Sequence, residues 1–85
     1  MYKRQDEYPL LELSILNPAT NGRIVFDREL MRANIRLLTL DGRTVLTRGR
    51  FHGRALHHNL PSGIYLIQVT QDTLSFNSRI VIDAH

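Results

Sequence analysis

The sequence contains no cysteine, which excludes a disulfide framework, a thiolate zinc site and a thiol nucleophile. It also lacks any apolar run near the ~20 residues that a membrane-spanning helix requires, so we expect no stable membrane insertion. No signal-peptide pattern is visible at the N terminus. With 85 residues the chain has room for one domain, with little surplus core to support a deep pocket. We therefore predict that it is not an enzyme and needs no cofactor.

The positive charge is concentrated at the N terminus. The formal net charge is +3, but without the first five residues, which include Lys3 and Arg4, the chain has 9 Arg against 8 Asp plus Glu, or +1. Basicity therefore gives no reason to expect a nucleic-acid partner. Those five residues read like a translated sequencing-library adapter, so we interpret residues 1–9 as disordered or adapter-derived and residues 10–85 as the domain. On this hypothesis the chain is the C-terminal remnant of a longer protein.

Short runs of β-forming residues recur between turn signals, which predicts an all-β fold of about seven strands. Turn signals at roughly 8-to-12-residue spacing are expected of either a β-sandwich or a β-barrel. Asp41 and Gly42 suit a tight hairpin turn, and residues 64–70 give the strongest strand. A turn at residues 71–72 leads to a last strand with one wet face.

Three further predictions concern less regular stretches. The alternation of residues 11–15 indicates a first strand, which Asn17 and Pro18 end because proline lacks a ladder donor. Residues 28–31 could form a single helical turn between two strands, and residues 55–60 a short fifth strand. No linker, low-complexity tract or internal repeat is visible.

Three ordered segments resemble those of the C-terminal sorting domain of the type IX (Por) secretion system, type A. They are Ser-Ile-Leu-Asn-Pro-Ala-Thr at residues 14–20, Leu-Leu-Thr-Leu-Asp-Gly-Arg-Thr-Val at residues 37–45, and Leu-Pro-Ser-Gly-Ile-Tyr-Leu-Ile-Gln-Val at residues 60–69. The resemblance covers about residues 10–82. Each segment alone is a common turn pattern, and their order and spacing carry the resemblance.

The resemblance implies a seven-stranded antiparallel β-sandwich of the immunoglobulin or fibronectin type. It also implies a non-catalytic tag that directs an N-terminal passenger protein through the periplasm and the type IX translocon to the cell surface. The implied partners are the translocon and a surface sortase, and open strand edges allow recognition or pairing between copies by strand addition. Gly63 and Tyr65 are expected to be mainly structural. The candidate recognition residues are Asn17, Pro18, Asp41, Gly42, Arg43, Pro61, Gly63, Tyr65 and Arg79.

Other readings of the sequence remain open. The chain could be a fibronectin-like protein- or carbohydrate-binding module of an extracellular protein, or a small oligonucleotide-binding barrel that uses a basic patch at Arg48 and Arg50. The adjacent His57 and His58 would point to opposite faces of a strand, which disfavours a metal site. Ser62 lacks the Gly-x-Ser-x-Gly elbow of a nucleophile and is interpreted as a turn residue.

Overall fold

The computed structural model describes residues 11–84. These residues form four strands and no helix: β1 (Arg23–Thr39), β2 (Thr44–His57), β3 (Gly63–Gln71) and β4 (Leu74–Ile82). All pairings between them are antiparallel, in the order β2-β1-β3-β4, which leaves β2 and β4 as the edges. The all-β, antiparallel prediction is confirmed. Nowhere in the described part of the chain is there a helix long and apolar enough to cross a membrane.

The core lies on one face of the sheet, because side chains of alternating residues point to the same side of a strand. In β3, Tyr65, Ile67 and Val69 are buried, and they lie opposite Ile80, Ser78 and Phe76 of β4. The fully buried large side chains are Phe26, Ile24, Leu30, Ile35, Leu37, Leu56, Ile67, Ile80, Ile82 and Val69. Burial of these apolar side chains supplies the main driving force for folding.

β1 is a single long strand with a local irregularity, where the sequence predicted two strands and a helical turn. The register with β2 shifts between Leu30 and Ala33, and Arg32 there adopts a left-handed backbone with φ 52°. Such a bulge bends a strand without ending it. Leu30 stays fully buried across this stretch, and the Met31 N–H donates to the Gln71 side chain at 2.9 Å. The helical turn predicted at residues 28–31 is therefore wrong.

The predicted seven-stranded sandwich is also wrong for the described residues, which form one four-stranded sheet. Residues 55–57 of the predicted fifth strand are the end of the continuous β2, and residues 58–60 lie outside any strand. The first strand predicted at residues 11–15 is reduced to one bridge, between Ile15 and Phe26. That segment does bury Leu11, so its apolar residues reach the core without joining a ladder. The N-terminal segment 1–9 lies outside the described residues.

Two turns agree with their sequence signals. Between β1 and β2, the Thr39 N–H donates to the Arg43 carbonyl at 2.8 Å and the Gly42 N–H to the Thr39 carbonyl at 2.9 Å. Gly42 has φ 94°, a conformation that glycine adopts without steric cost. Between β3 and β4, Asp72 takes the left-handed position with φ 56°, which aspartate tolerates better than most residues.

Candidate recognition surface at one end of the sheet

The three sequence segments singled out above meet at one end of the sheet. β1 and β4 end there and β2 and β3 begin there, since Thr39 pairs with Tyr65 and Gly63 with Ile82. Ala19 adds a parallel bridge to Ile82. We call this region the motif end and define it as residues 17–19, 39–43, 60–65 and 79–84. All nine predicted recognition residues lie in it.

Residues 17–19 fasten the N-terminal segment to the edge of β4. The Asn17 Oδ1 atom accepts the Val81 N–H at 3.0 Å. The Ala19 N–H donates to the Val81 carbonyl, and the Asp83 N–H donates to the Ala19 carbonyl, each at 2.8 Å. Pro18 is exposed between them, after a cis peptide bond. Asn17 therefore holds the last strand, a role that its sequence position as a turn residue does not reveal.

The turn before β3 is built around the hydroxyl of Tyr65. This side chain is 7% exposed, and its Oη donates to the Pro61 carbonyl at 2.7 Å. A Cβ atom added to Gly63 would lie 3.5 Å from the Tyr65 ring, so the ring covers the glycine closely. The φ of Gly63 is not in the left-handed region. The glycine thus serves the packing of Tyr65 rather than the relief of backbone strain.

Ser62 in the same turn also contacts the C-terminal segment. Its Oγ accepts the Ala84 N–H at 2.8 Å, so the turn and residues 17–19 both bind the chain that leaves β4. Sequence reasoning considered Ser62 only as a nucleophile or a turn residue and missed this contact. The contact depends on which strands are neighbours, which no local pattern reports.

The turn between β1 and β2 is held by side chains as well as by its backbone. The Thr39 hydroxyl donates to the Asp41 carboxylate, and the Thr39 Oγ1 accepts the Arg43 N–H at 3.1 Å. The bond from Thr39 is the main reason that the pKa of Asp41 lies below its ordinary value, and the Arg43 charge lowers it further. Asp41 is therefore ionised at neutral pH, beside the exposed Arg43.

The motif end presents apolar side chains to solvent. Leu40, Ile64 and Val81 are 57%, 46% and 40% exposed, and Ile64 lies directly opposite Val81 across β3 and β4. We call these three residues the apolar strip. Arg79, also exposed, pairs with Leu66 next to the strip. Exposed apolar side chains beside arginine are typical of protein interaction surfaces, and the outward parity of Ile64 and Val81 was readable from the sequence.

The histidines do not come together as a metal site, and the described residues contain no group of three or more His, Cys, Asp or Glu that could hold a metal ion. His58 follows the end of β2, and its Nδ1 accepts the Leu60 N–H at 3.0 Å. Its Nε2 is buried without a hydrogen-bond partner among the described residues. Burial accordingly lowers the pKa of His58. His58 therefore acts as a neutral cap of the turn.

The predicted basic patch at Arg48 and Arg50 is divided in the structure. Arg48 donates to the carbonyls of Thr47 and His57, at 3.1 and 3.5 Å. Arg50 instead lines a recess with Arg32 and His52. The two arginines share strand parity in the sequence, but the backbone of Arg50 is left-handed, with φ 52°, and Arg48 does not line the recess.

Comparison with known protein families gives a match that spans the motif end. A family model described as "Secretion system C-terminal sorting domain" matches residues 17–83. The match begins at Asn17 and runs through all four strands to Asp83, so it includes every contact described above between residues 17–19 and β4. No curated protein matches the chain.

Proposed function

Because the chain belongs to the family of C-terminal sorting domains of the type IX secretion system, we propose that it is the non-catalytic tag that carries a passenger through the translocon to the cell surface. The passenger would precede residue 1, reach the translocon from the periplasm, and be released from the tag by a surface sortase. The observation that supports this function best is the convergence of the three segments and the end of β4 at one end of the sheet.

The motif end is suited to recognition because its backbone is fixed on several sides. Asn17, Ala19 and Ser62 bind the chain from Val81 to Ala84 through hydrogen bonds of 2.8 to 3.0 Å. A partner would therefore meet a preformed surface and lose little conformational entropy on binding. The apolar strip would supply the buried centre of that contact. Arg43 and Arg79 lie beside it and would set orientation through charge.

The test is fusion of residues 11–85 to the C terminus of a periplasmic reporter in a Bacteroidota-type bacterium that has the secretion system. We expect the reporter at the cell surface, as with an established sorting domain from the same host. The same fusion in a strain without the translocon should stay inside the outer membrane. Retention of the reporter while the established domain delivers its own reporter would refute the proposal.

A double variant tests whether the apolar strip is the contact. Ile64→Thr with Val81→Thr keeps two β-branched side chains on the sheet and removes exposed apolar surface. Loss of two central contacts should reduce surface delivery about tenfold or more. Met31→Thr is the matched control, since Met31 is 63% exposed but lies outside the motif end. Equal delivery by the double variant and the wild type would exclude the strip from recognition.

A carbohydrate- or protein-binding module is the second candidate. A recess among β1, β2 and β3 has a mainly apolar exposed surface, with the polar side chains of Asn34, Thr47 and Gln68 in its lining. Arg36 Nε and Nη2 both donate to the Gln68 Oε1, at 3.1 and 2.8 Å, which leaves the amide of Gln68 as a positioned donor. This candidate predicts saturable binding on a glycan array that Gln68→Ala removes. An array without binding would count against it.

A further inference from the structure

Two bulges in neighbouring strands bring three basic side chains around one recess. Arg32 lies in the irregular part of β1, between the pairs Leu30–Gly53 and Ala33–Phe51. Arg50 and His52 flank Phe51 on β2. These three residues, Arg32, Arg50 and His52, line a recess whose exposed surface is mainly polar. We call it the arginine recess. Arg32 precedes the end of β1 by seven residues, so the recess lies away from the motif end.

The guanidinium groups of the recess have no partner within the part of the chain that the structure describes. Arg28, Arg48 and Arg54 donate from their side chains to backbone carbonyls, and Arg36 donates to Gln68. Neither Arg32 nor Arg50 makes such a bond or an ion pair within residues 11–84. No described residue therefore occupies their donors, and an anion bound between the two positive charges would offset their mutual repulsion.

The backbone at both arginines is unusual for this residue type. Arg32 and Arg50 each have φ 52°, in the left-handed region that glycine, asparagine and aspartate occupy more readily. Strained backbone positions occur preferentially at binding sites. Arginine at two such positions, one on each strand, is difficult to explain by folding, since asparagine would fit the same backbone better.

We propose that the arginine recess binds a phosphate or sulfate group. A guanidinium presents planar, paired N–H donors that match the oxygens of such an anion, and two of them with an imidazole can surround it on several sides. The recess is partly open to solvent, so the anion is either free or the exposed headgroup of a lipid. The inference does not depend on the sorting function, because it uses no residue of the motif end.

The test is a titration of the folded chain with inorganic phosphate, followed by the backbone amide signals in nuclear magnetic resonance spectra. Chloride at matched ionic strength is the reference. We expect saturable shifts of the Arg32, Arg50 and His52 amides, and a higher thermal midpoint in phosphate than in chloride. A parallel titration with phosphatidylcholine vesicles, with and without phosphatidic acid, distinguishes the lipid headgroup from the free anion.

The decisive variant is Arg32→Asn with Arg50→Asn, because asparagine suits the left-handed backbone and removes both guanidinium groups. It should fold at least as stably as the wild type and bind phosphate at least about tenfold more weakly, the effect of losing roughly 1.4 kcal/mol of binding. Arg23→Asn with Arg48→Asn is the control, since it removes one charge from each of the same strands outside the recess. It should change phosphate affinity less than about twofold.

Three outcomes would overturn the proposal. The first is a wild-type chain that shows no saturable shift with phosphate or with phosphatidic acid. The second is an equal loss of affinity in the two double variants, which would indicate a general basic surface. The third is a set of shifts centred on the motif end, which would place the anion elsewhere.

Discussion

Removal of a single oxygen atom by Tyr65→Phe should measurably destabilise the domain. The Tyr65 hydroxyl donates to the Pro61 carbonyl at 2.7 Å, and the ring is 7% exposed. Phenylalanine keeps the ring packed on Gly63 and removes only this bond. A hydrogen bond of this kind contributes about 1 kcal/mol net. Pro61 is exposed, so in the variant water can hydrogen-bond to its carbonyl. The loss of free energy of unfolding should therefore not be much larger than about 1 kcal/mol.

The magnitude converts to a quantity that is easily measured. For a domain of this size, about 1 kcal/mol lowers the thermal midpoint by roughly 4 to 8 °C. Circular dichroism of urea unfolding should give the same free-energy difference with an unchanged dependence on urea concentration. Tyr65→Ala should cost more, about 3 to 5 kcal/mol, because it also empties the space of the ring.

Two results test whether the Tyr65 hydroxyl fixes the turn. Gly63→Ala is the control, since the added Cβ would make an ordinary contact of 3.5 Å with the ring and the backbone needs no left-handed φ; it should change stability by less than about 0.5 kcal/mol. If Tyr65→Phe were as stable as the wild type, the hydroxyl would not fix the turn. Packing of the ring alone would then account for the contribution of Tyr65 to stability.

Three further predictions concern the turns and the edge of β4. Asn17→Ala removes the acceptor of the Val81 N–H and should lower the free energy of unfolding by about 1 kcal/mol. Hydrogen exchange at the Val81 amide should become faster, and an exchange rate equal to that of the wild type would contradict the contact. Gly42→Ala should lower the free energy of unfolding in urea by about 1 to 2 kcal/mol. The space around Gly42 is open, but its φ of 94° is unfavourable for alanine. Gly49 has no left-handed φ, so Gly49→Ala should be nearly neutral. Burial lowers the pKa of His58 in the folded chain. As the pH falls below about 6.5, His58 is therefore protonated in the unfolded chain before it is protonated in the folded one. The contribution of His58 to the free energy of unfolding should be complete above that pH and decline below it. His58→Asn keeps an acceptor for the turn and should remove that part of the decline in unfolding measured from pH 8 to 5, with an unaltered decline as the contrary result.

Local signals predicted the parts of the fold that depend on few residues. Asp41 and Gly42 predicted the hairpin turn because few residue types adopt its backbone conformation without strain. The alternation of residues 64–70 predicted β3. β1 was divided wrongly because its bulge at Arg32 has no sequence signature: arginine is not a residue that the left-handed backbone favours. The apolar alternation of residues 11–15 predicted that they are partly buried. It could not predict whether a neighbouring strand lies close enough to form a ladder with them.

The candidate site, too, could be predicted from the sequence only in part. The motifs could be recognised in the sequence, and the family match confirms the family. Their convergence, in contrast, follows from the strand order β2-β1-β3-β4, which places Ser62 and Asn17 beside the chain after β4. The arginine recess depends on the register of two bulges. Regular alternation along one strand predicts that Arg48 and Arg50 lie side by side, and the left-handed backbone of Arg50 interrupts that alternation.

The parallel course of residues 17–19 beside the end of β4 has a mechanical consequence. If a passenger pulls the N-terminal side while a partner holds the C-terminal side, the two neighbouring segments are drawn in opposite directions along their common axis. The bonds from Asn17 and Ala19 to Val81 and Asp83 are then sheared together instead of being opened one by one. The pairing of residues 17–19 with the end of β4 would therefore resist tension applied between the two ends of the domain.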